Sequence, residues 1–417
     1  MLIPPFLRPA LAACLLLAAL LAGGRVAAAA PPAGPATAAA PAVAVDIKVV
    51  SEGAKTLFAV TLSKPITAHA HLMERPDRVI VDLPEVTFHL PTETGRKREG
   101  LIASFRYGLF APGRSRVVMD LAQPATVSRI DVRPNEKDGT ALLLIELARA
   151  DRDAFRRAAA DSASRAPAPR PVPDPTRPED GRPVIMLDPG HGGIDPGAAA
   201  AGGVFEKDIV FAYARQLKNK LEGTGRYRVM LTRDEDVFIP LGDRVRIARA
   251  AGANLFISIH ADSISGSGDV RGLTVYTGSE RASDADSQRL ADRENRADAV
   301  AGVESGATAD DVSDILQDLT LRETRVFSHS FATGLVGELD TVARLNKNPH
   351  RQAGFRVLRA HDIPSVLLEL GYLSSRKDFD LLMSDEWRNL STGAITKAVD
   401  RFFSTRLAVQ GAAPVSP

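Results

Sequence analysis

The chain has 417 residues, more than one ordinary domain holds, and is 45% hydrophobic and 25% charged, the balance of a folded globular protein. Its 52 basic and 51 acidic residues leave a formal net charge of +1, which gives no electrostatic basis for binding nucleic acid.

Residues 1–30, MLIPPFLRPALAACLLLAALLAGGRVAAAA, carry one early charge, Arg8, then an apolar run from Pro9 to Ala22, then small residues. The run is too short to span a bilayer and the alanines suit signal-peptidase cleavage, so the segment reads as a secretory signal peptide. A retained anchor is the alternative, because Arg8 alone makes a weak basic region. The LAAC ending at Cys14 resembles a lipoprotein cleavage box, but most of the apolar core follows Cys14, which argues against lipidation. Cys14 is the only cysteine and leaves with the leader. The mature chain then has no disulfide or thiol chemistry, and an exported, cysteine-free, Ala/Arg-rich chain points to the periplasm of a Gram-negative bacterium.

After a low-complexity Pro/Ala segment, residues 44–148 have a β pattern. LFAVTLS, RVIVDLP, RVVMDLA and ALLLIELA are short runs rich in branched residues, bounded by Gly, Pro and Asp. DRVIVDLPE and SRVVMDLAQ align, Arg78 on Arg116 and Asp82 on Asp120, which predicts a duplicated β-unit in a small all-β sandwich. His69, His71 and His89 have no partner at metal-ligand spacing and read as surface histidines. Residues 149–182 begin with a short charged helical stretch and become Pro-rich, a semi-rigid spacer.

Residues 183–406 alternate strand and helix. PVIMLD, YRVMLT, NLFISIH, GLTVYT and SVLLEL read as strands; EKDIVFAYARQLKNKLEG, LGDRVRIARAAG and most of Asp378 to Phe403 read as helices. The fold class is α/β, a largely parallel sheet flanked by helices, with chemistry expected at the carboxyl ends of strands. Three titratable groups stand there: His191 in IMLDPGHGG, His260 ending NLFISIH, and Glu369 inside the apolar SVLLELGYLS. A fourth, Glu206, opens the first helix. Singly, each has an ordinary reading as a turn histidine, a first-turn acid or a paired buried carboxylate. Together, two histidines and a glutamate make a catalytic zinc set with one position left for water, and a further carboxylate can serve as general base. The glycines around His191 let the backbone approach metal and substrate. Asp188 and Asp262 are candidate partners that orient the histidines, with turn or cap roles as the alternative.

LDPGHGGIDPGA, FEKD, LTR, ANLFISIHAD, GLTVYT and PSVLLELGYLSS resemble the zinc-dependent N-acetylmuramoyl-L-alanine amidases of cell-wall turnover, AmiC-like members in particular, over Pro183 to Arg406. Tyr372 stands where the family has Phe or similar. The resemblance implies His191, Glu206 and His260 as Zn2+ ligands and Glu369 as the catalytic glutamate. It implies hydrolysis of the amide between N-acetylmuramic acid and L-alanine in peptidoglycan, in cell-wall turnover and daughter-cell separation. The preceding β region resembles the AMIN domain, which implies peptidoglycan targeting.

Between GLTVYT and the next apolar helix lie residues 278–323, rich in charge and alanine. Val312, Ile315, Leu316 and Leu319 have helical spacing, as do Leu290, Ala297 and Val300 less regularly. A solvated helical decoration is the ordinary reading. Division-associated members of the resembled family carry an inhibitory helix here, which implies Glu294, with Glu304 second, as a regulatory fourth zinc ligand. It also implies a LytM-domain activator of the EnvC or NlpD kind. Two other functions compete: a zinc peptidase cutting within the stem peptide, and a non-catalytic peptidoglycan-binding protein, against which the intact set of His191, Glu206, His260 and Glu369 argues.

Overall fold

The computed structural model describes residues 40–91, 93–163, 174–178, 180–200, 202–264, 270–303 and 315–411. The leader read at 1–30 with Cys14, most of the Pro-rich stretch and Glu304 lie outside them.

The N-terminal strands are β1 (Ala42–Glu52), β2 (Lys55–Leu62), β3 (His69–Met73), β4 (Arg78–Pro84), β5 (Val86–Phe88), β6 (Ile102–Ala111), β7 (Arg114–Leu121), β8 (Ala125–Pro134) and β9 (Ala141–Arg149). They form two sheets, in the orders β5-β1-β2-β9-β8 and β3-β4-β7-β6. Strand alternation makes the core. In β2, Thr56, Phe58, Val60 and Leu62 are buried and their neighbours less so. Phe58, Val60 and Leu62 meet Val79, Val81, Val117 and Met119 of the other sheet in one apolar cluster, with Phe58 edge-on to Phe105 at 4.9 Å. β4 breaks the alternation because it is covered on both faces. Val79 and Val81 enter this core, whereas Ile80 packs with Val118 in a separate cluster against the second half of the chain.

The stretch read as the start of a spacer is helix α1 (Arg152–Ala163), which buries Phe155 and Ala159 in the same core. His71, expected on the surface, is largely buried instead. Its Nδ1 lies 3.6 Å from Asp82 Oδ2, because the cross-strand pairing of β3 with β4 carries it to that acid's face. Burial, ahead of the opposing Asp82 charge, lowers its pKa.

The second half contains β10 (Val184–Pro189), α2 (Glu206–Glu222), β11 (Arg228–Leu231), α3 (Leu241–Ala250), β12 (Leu255–His260), β13 (Leu273–Gly278), α4 (Ala285–Glu294), α5 (Ala297–Val300), α6 (Ile315–Asp340), β14 (Leu345–Ala353), β15 (Ser365–Glu369), α7 (Arg376–Leu382) and α8 (Asp385–Gly411). Its sheet has the order β11-β10-β12-β15-β13-β14. β11, β10, β12 and β15 run parallel; β13 is antiparallel to β15 and parallel to β14. The central strands are buried throughout because helices cover both faces. On one side Tyr213, Leu217, Leu335, Ile395 and Val399 come from α2, α6 and α8. On the other, Ile247 of α3 and Leu290 and Ala291 of α4 pack with Phe355. β14, LNKNPHRQA, has no apolar pattern and carries a proline, which an edge strand tolerates.

Candidate metal centre

β10 ends at Pro189, and the chain turns at once into His191, whose φ is +57°, a left-handed conformation rare for a residue with a side chain. Such a residue costs about 1–3 kcal/mol and persists only where its surroundings over-determine it. Here they do. Arg233 donates to the carbonyls of Pro189 and Gly190, each at 3.1 Å, and Arg244 donates to the His191 carbonyl at 2.8 Å. Gly190 is required for another reason: a Cβ there would collide with the His260 ring.

Asp188, a candidate partner of the histidines, has a different place. It accepts from Arg244 Nη1 at 2.8 Å, Thr232 Oγ1 at 2.6 Å and Ser258 Oγ at 2.7 Å, and so anchors the arginine that holds the turn. The residue on His191 is Asp195, whose Oδ2 lies 2.9 Å from Nδ1. With Nδ1–H directed to that carboxylate, Nε2 is the nitrogen left to take a proton or a metal ion, and this atom is buried without a hydrogen-bond partner.

Glu206, His260, Glu294 and Glu369 converge on the same place. Glu206 is the first residue of α2 and fully buried. Its Oε2 accepts from Ala198 N and its Oε1 from Ala261 N, both at 2.9 Å. That Oε1 lies 3.2 Å from His191 Nε2 and 3.2 Å from His260 Nδ1. Glu294, the last residue of α4, completes the set, its Oε2 3.3 Å from His260 Nδ1 and 3.7 Å from His191 Nε2. His191, His260 and Glu294 each offer one donor atom, all within 4.8 Å of one another, a group that can hold a metal ion. Glu369 follows from strand register: β12 and β15 pair in parallel with His260 opposite Glu369. Its Oε2 accepts from Asp262 N at 3.1 Å, and its Oε1 is buried and unpartnered.

The charges suit a cation. Burial alone would lower the His191 pKa, but Glu206, Asp195 and Glu294 outweigh it and hold the imidazole well above its usual range. Burial would raise Glu206, yet the two histidines keep it well below the usual carboxylate range. Glu369, away from the histidine donors, is raised well above that range by burial and by the acids Asp262 and Glu206. Asp262, read as a partner of the histidines, sits instead between Glu369 and Arg293 Nη1, 3.0 Å away, and burial lifts its pKa to about 7.

Helix α4 covers this group. Asp284 caps its first turn by accepting from Ser287 N at 2.8 Å. Arg293 ties it to Asp262 and to the Ser263 carbonyl. Asn295, just after Glu294, donates to the Gly354 carbonyl at 2.8 Å and accepts from Arg356 N at 2.8 Å. Asp298 in α5 accepts from Leu241 N at 2.9 Å, at the start of α3. The cavity beside His191 and His260 is thus walled by Glu294, Asn295 and Ala297.

Sequence comparison gives the geometry a context. Residues 185–401 match the N-acetylmuramoyl-L-alanine amidase family, and residues 44–144 match the AMIN domain. The chain is 35% identical to N-acetylmuramoyl-L-alanine amidase AmiC of Neisseria meningitidis over 81% of its own length and 85% of that protein's. It is 30% identical to AmiC of Escherichia coli, over 88% of its length and 91% of that protein's. Its similarity to AmiA of Escherichia coli is 38% identity over 54% of the chain and 77% of that protein.

Proposed function

The chain belongs to the N-acetylmuramoyl-L-alanine amidase family, carries an AMIN domain and hydrolyses peptidoglycan, and from that premise we propose that His191, Glu206 and His260 hold one zinc ion and Glu369 moves the protons. The observation carrying this reading is the approach of one Glu206 oxygen to 3.2 Å from both His191 Nε2 and His260 Nδ1, at a buried Nε2 that has no hydrogen-bond partner. Two imidazoles and a carboxylate are a zinc donor set with one position open. Bound there, zinc supplies a Lewis acid for the scissile carbonyl and brings the pKa of a water to about 7.

The protein's own groups supply the rest. Asp195 fixes the His191 tautomer. Glu369, one strand from His260, accepts the proton of the attacking water and returns it to the leaving amine of L-alanine. The scissile bond joins the lactyl group of N-acetylmuramic acid to that amine. With zinc held there, Glu294 would take the remaining position, and its carboxylate would exclude the water. The resting enzyme is then autoinhibited. Activation requires a partner that binds the open state better than the closed one, for which a LytM-domain protein is our candidate, in the periplasm after removal of the leader.

The test uses the zinc-loaded protein on purified sacculi, with products identified by mass. Intact stem peptides beginning with a free L-alanine, and glycan strands bare of peptide, are expected. Peptides cut within the stem would replace this reading with that of a zinc peptidase, and no release at all from the Glu294→Ala form would favour a non-catalytic binder. Metal analysis should find about one zinc per chain, lost in His260→Ala.

A further inference from the structure

The duplicated unit of the N-terminal domain has a use that its core does not explain. β4 and β7 pair antiparallel, with Arg78 opposite Asp120 and Asp82 opposite Arg116. The repeat thereby makes two reciprocal ion pairs, Arg78 Nε to Asp120 Oδ1 at 2.5 Å and Arg116 Nε to Asp82 Oδ1 at 2.7 Å. Arg106 of β6 joins them on Asp120. All three arginines lie on the face turned away from the domain's own core. Each spends part of its fork on a carboxylate and keeps an Nη1 free to reach outward.

Those Nη1 groups find successive carbonyls at the end of α5. Arg78 donates to Ala299, Arg106 to Val300 at 2.8 Å, and Arg116 to Ala301 at 3.0 Å and Gly302 at 3.1 Å. The final carbonyls of a helix lack the bonds of its interior, and charged donors are strong partners for them; Ala299 O also accepts from Gly302 N at 3.0 Å, so there the arginine adds a second bond. Ala301 is buried among Ile80, Phe110, Val118 and Phe238. The gripped residues begin only a few positions after Glu294, joined to it through Asn295, Arg296, Ala297 and Asp298.

We propose that the N-terminal domain latches the catalytic centre shut: Arg78, Arg106 and Arg116 hold residues 299–302, and that grip keeps Glu294 against His191 and His260. This rests on the reading of Glu294 as the plug. Opening the centre means surrendering the arginine–carbonyl contacts, so any ligand that separates the two surfaces raises the rate without touching the active site.

Two full-length, metal-loaded variants test the latch. Arg106→Ala removes one donor while leaving both reciprocal ion pairs. Gly302→Val acts from the other side: Gly302 has φ +71°, and a Cβ there would lie 2.5 Å from Ile80 Cδ1. Amide hydrogen exchange over Ala285–Gly302 and dye release from labelled sacculi are measured beside wild type and Glu294→Ala, with thermal melts as the check on folding. Exchange at least tenfold faster in that segment, with basal release raised severalfold toward the Glu294→Ala level, is expected. Unchanged exchange in both folded variants overturns the latch. Faster exchange with wild-type release, while Glu294→Ala is active, overturns it too. A silent Glu294→Ala would instead sink the plug reading, and the latch with it.

Discussion

His260 and Glu369 stand side by side at the paired ends of parallel strands β12 and β15, yet their side chains have different company. Nδ1 of His260 faces Glu206 and Glu294, whereas Glu369 reaches the backbone of Asp262 and leaves Oε1 free. On the proposed assignment, a group beside the metal donors but outside their contacts would move protons rather than hold an ion. Glu369→Ala should therefore keep its zinc and lose hydrolysis by roughly a hundredfold or more. Metal content and dye release from labelled sacculi, measured on one preparation, check this. Loss of zinc would make Glu369 a ligand.

Asp195 should tune the metal rather than the chemistry. It holds Nδ1 of His191 at 2.9 Å in a residue already in the left-handed region. Removing such an outer partner typically weakens metal binding about 10–100-fold. Asp195→Ala should show that loss in a competition titration against a chelator, with activity recovering at high zinc. Wild-type zinc affinity would defeat the assignment.

Glu294→Ala should raise basal dye release in the absence of any partner, since alanine cannot occupy a metal position. The point change is cleaner than excising residues 278–323. Gly278 belongs to the β13 ladder, Leu290 and Ala291 pack in the core beside α3, and Thr324 is already buried in α6. A rate equal to wild type would remove Glu294 from the regulatory role.

Phe155 anchors α1 under the two N-terminal sheets and is fully buried. Phe155→Ala should cost about 3–5 kcal/mol by leaving a cavity. Denaturant melts followed by fluorescence measure it. A loss below about 1 kcal/mol would show that α1 merely rests on the surface.

Much of the site was legible because its residues sit where strand and helix boundaries fall. The glycine-flanked His191, the strand-end His260, the helix-opening Glu206 and the acid inside SVLLEL each break a local pattern, and the fold brings all four together. Asp195 was missed because IDPG reads as an ordinary turn, and nothing local says which imidazole nitrogen the turn will face. Asp188 was given the wrong neighbours for a related reason. It is close to His191 in sequence, but its strand side chain projects toward Thr232, Ser258 and Arg244. The repeat of Arg78 on Arg116 and Asp82 on Asp120 was visible. That it would fold into reciprocal pairs was not, because pairing depends on register. β14 escaped for want of apolar periodicity; α1 was legible as a short helical stretch, but its burial against the β core was not, because that comes from tertiary packing.

The cluster of Met73, Ile80, Phe110 and Val118 against Ile194, Phe238 and Ala301 carries a practical consequence for protein production. A catalytic half expressed alone would present Ile194, Phe238 and Ala301 to water together, with Phe238 stripped of the Phe110 ring that stacks on it at 6.0 Å. Contiguous apolar surface of that kind drives self-association. Poor solubility of such a fragment would therefore report the missing neighbour rather than a misfolded enzyme, and polar replacements at Phe238 are the remedy to try first.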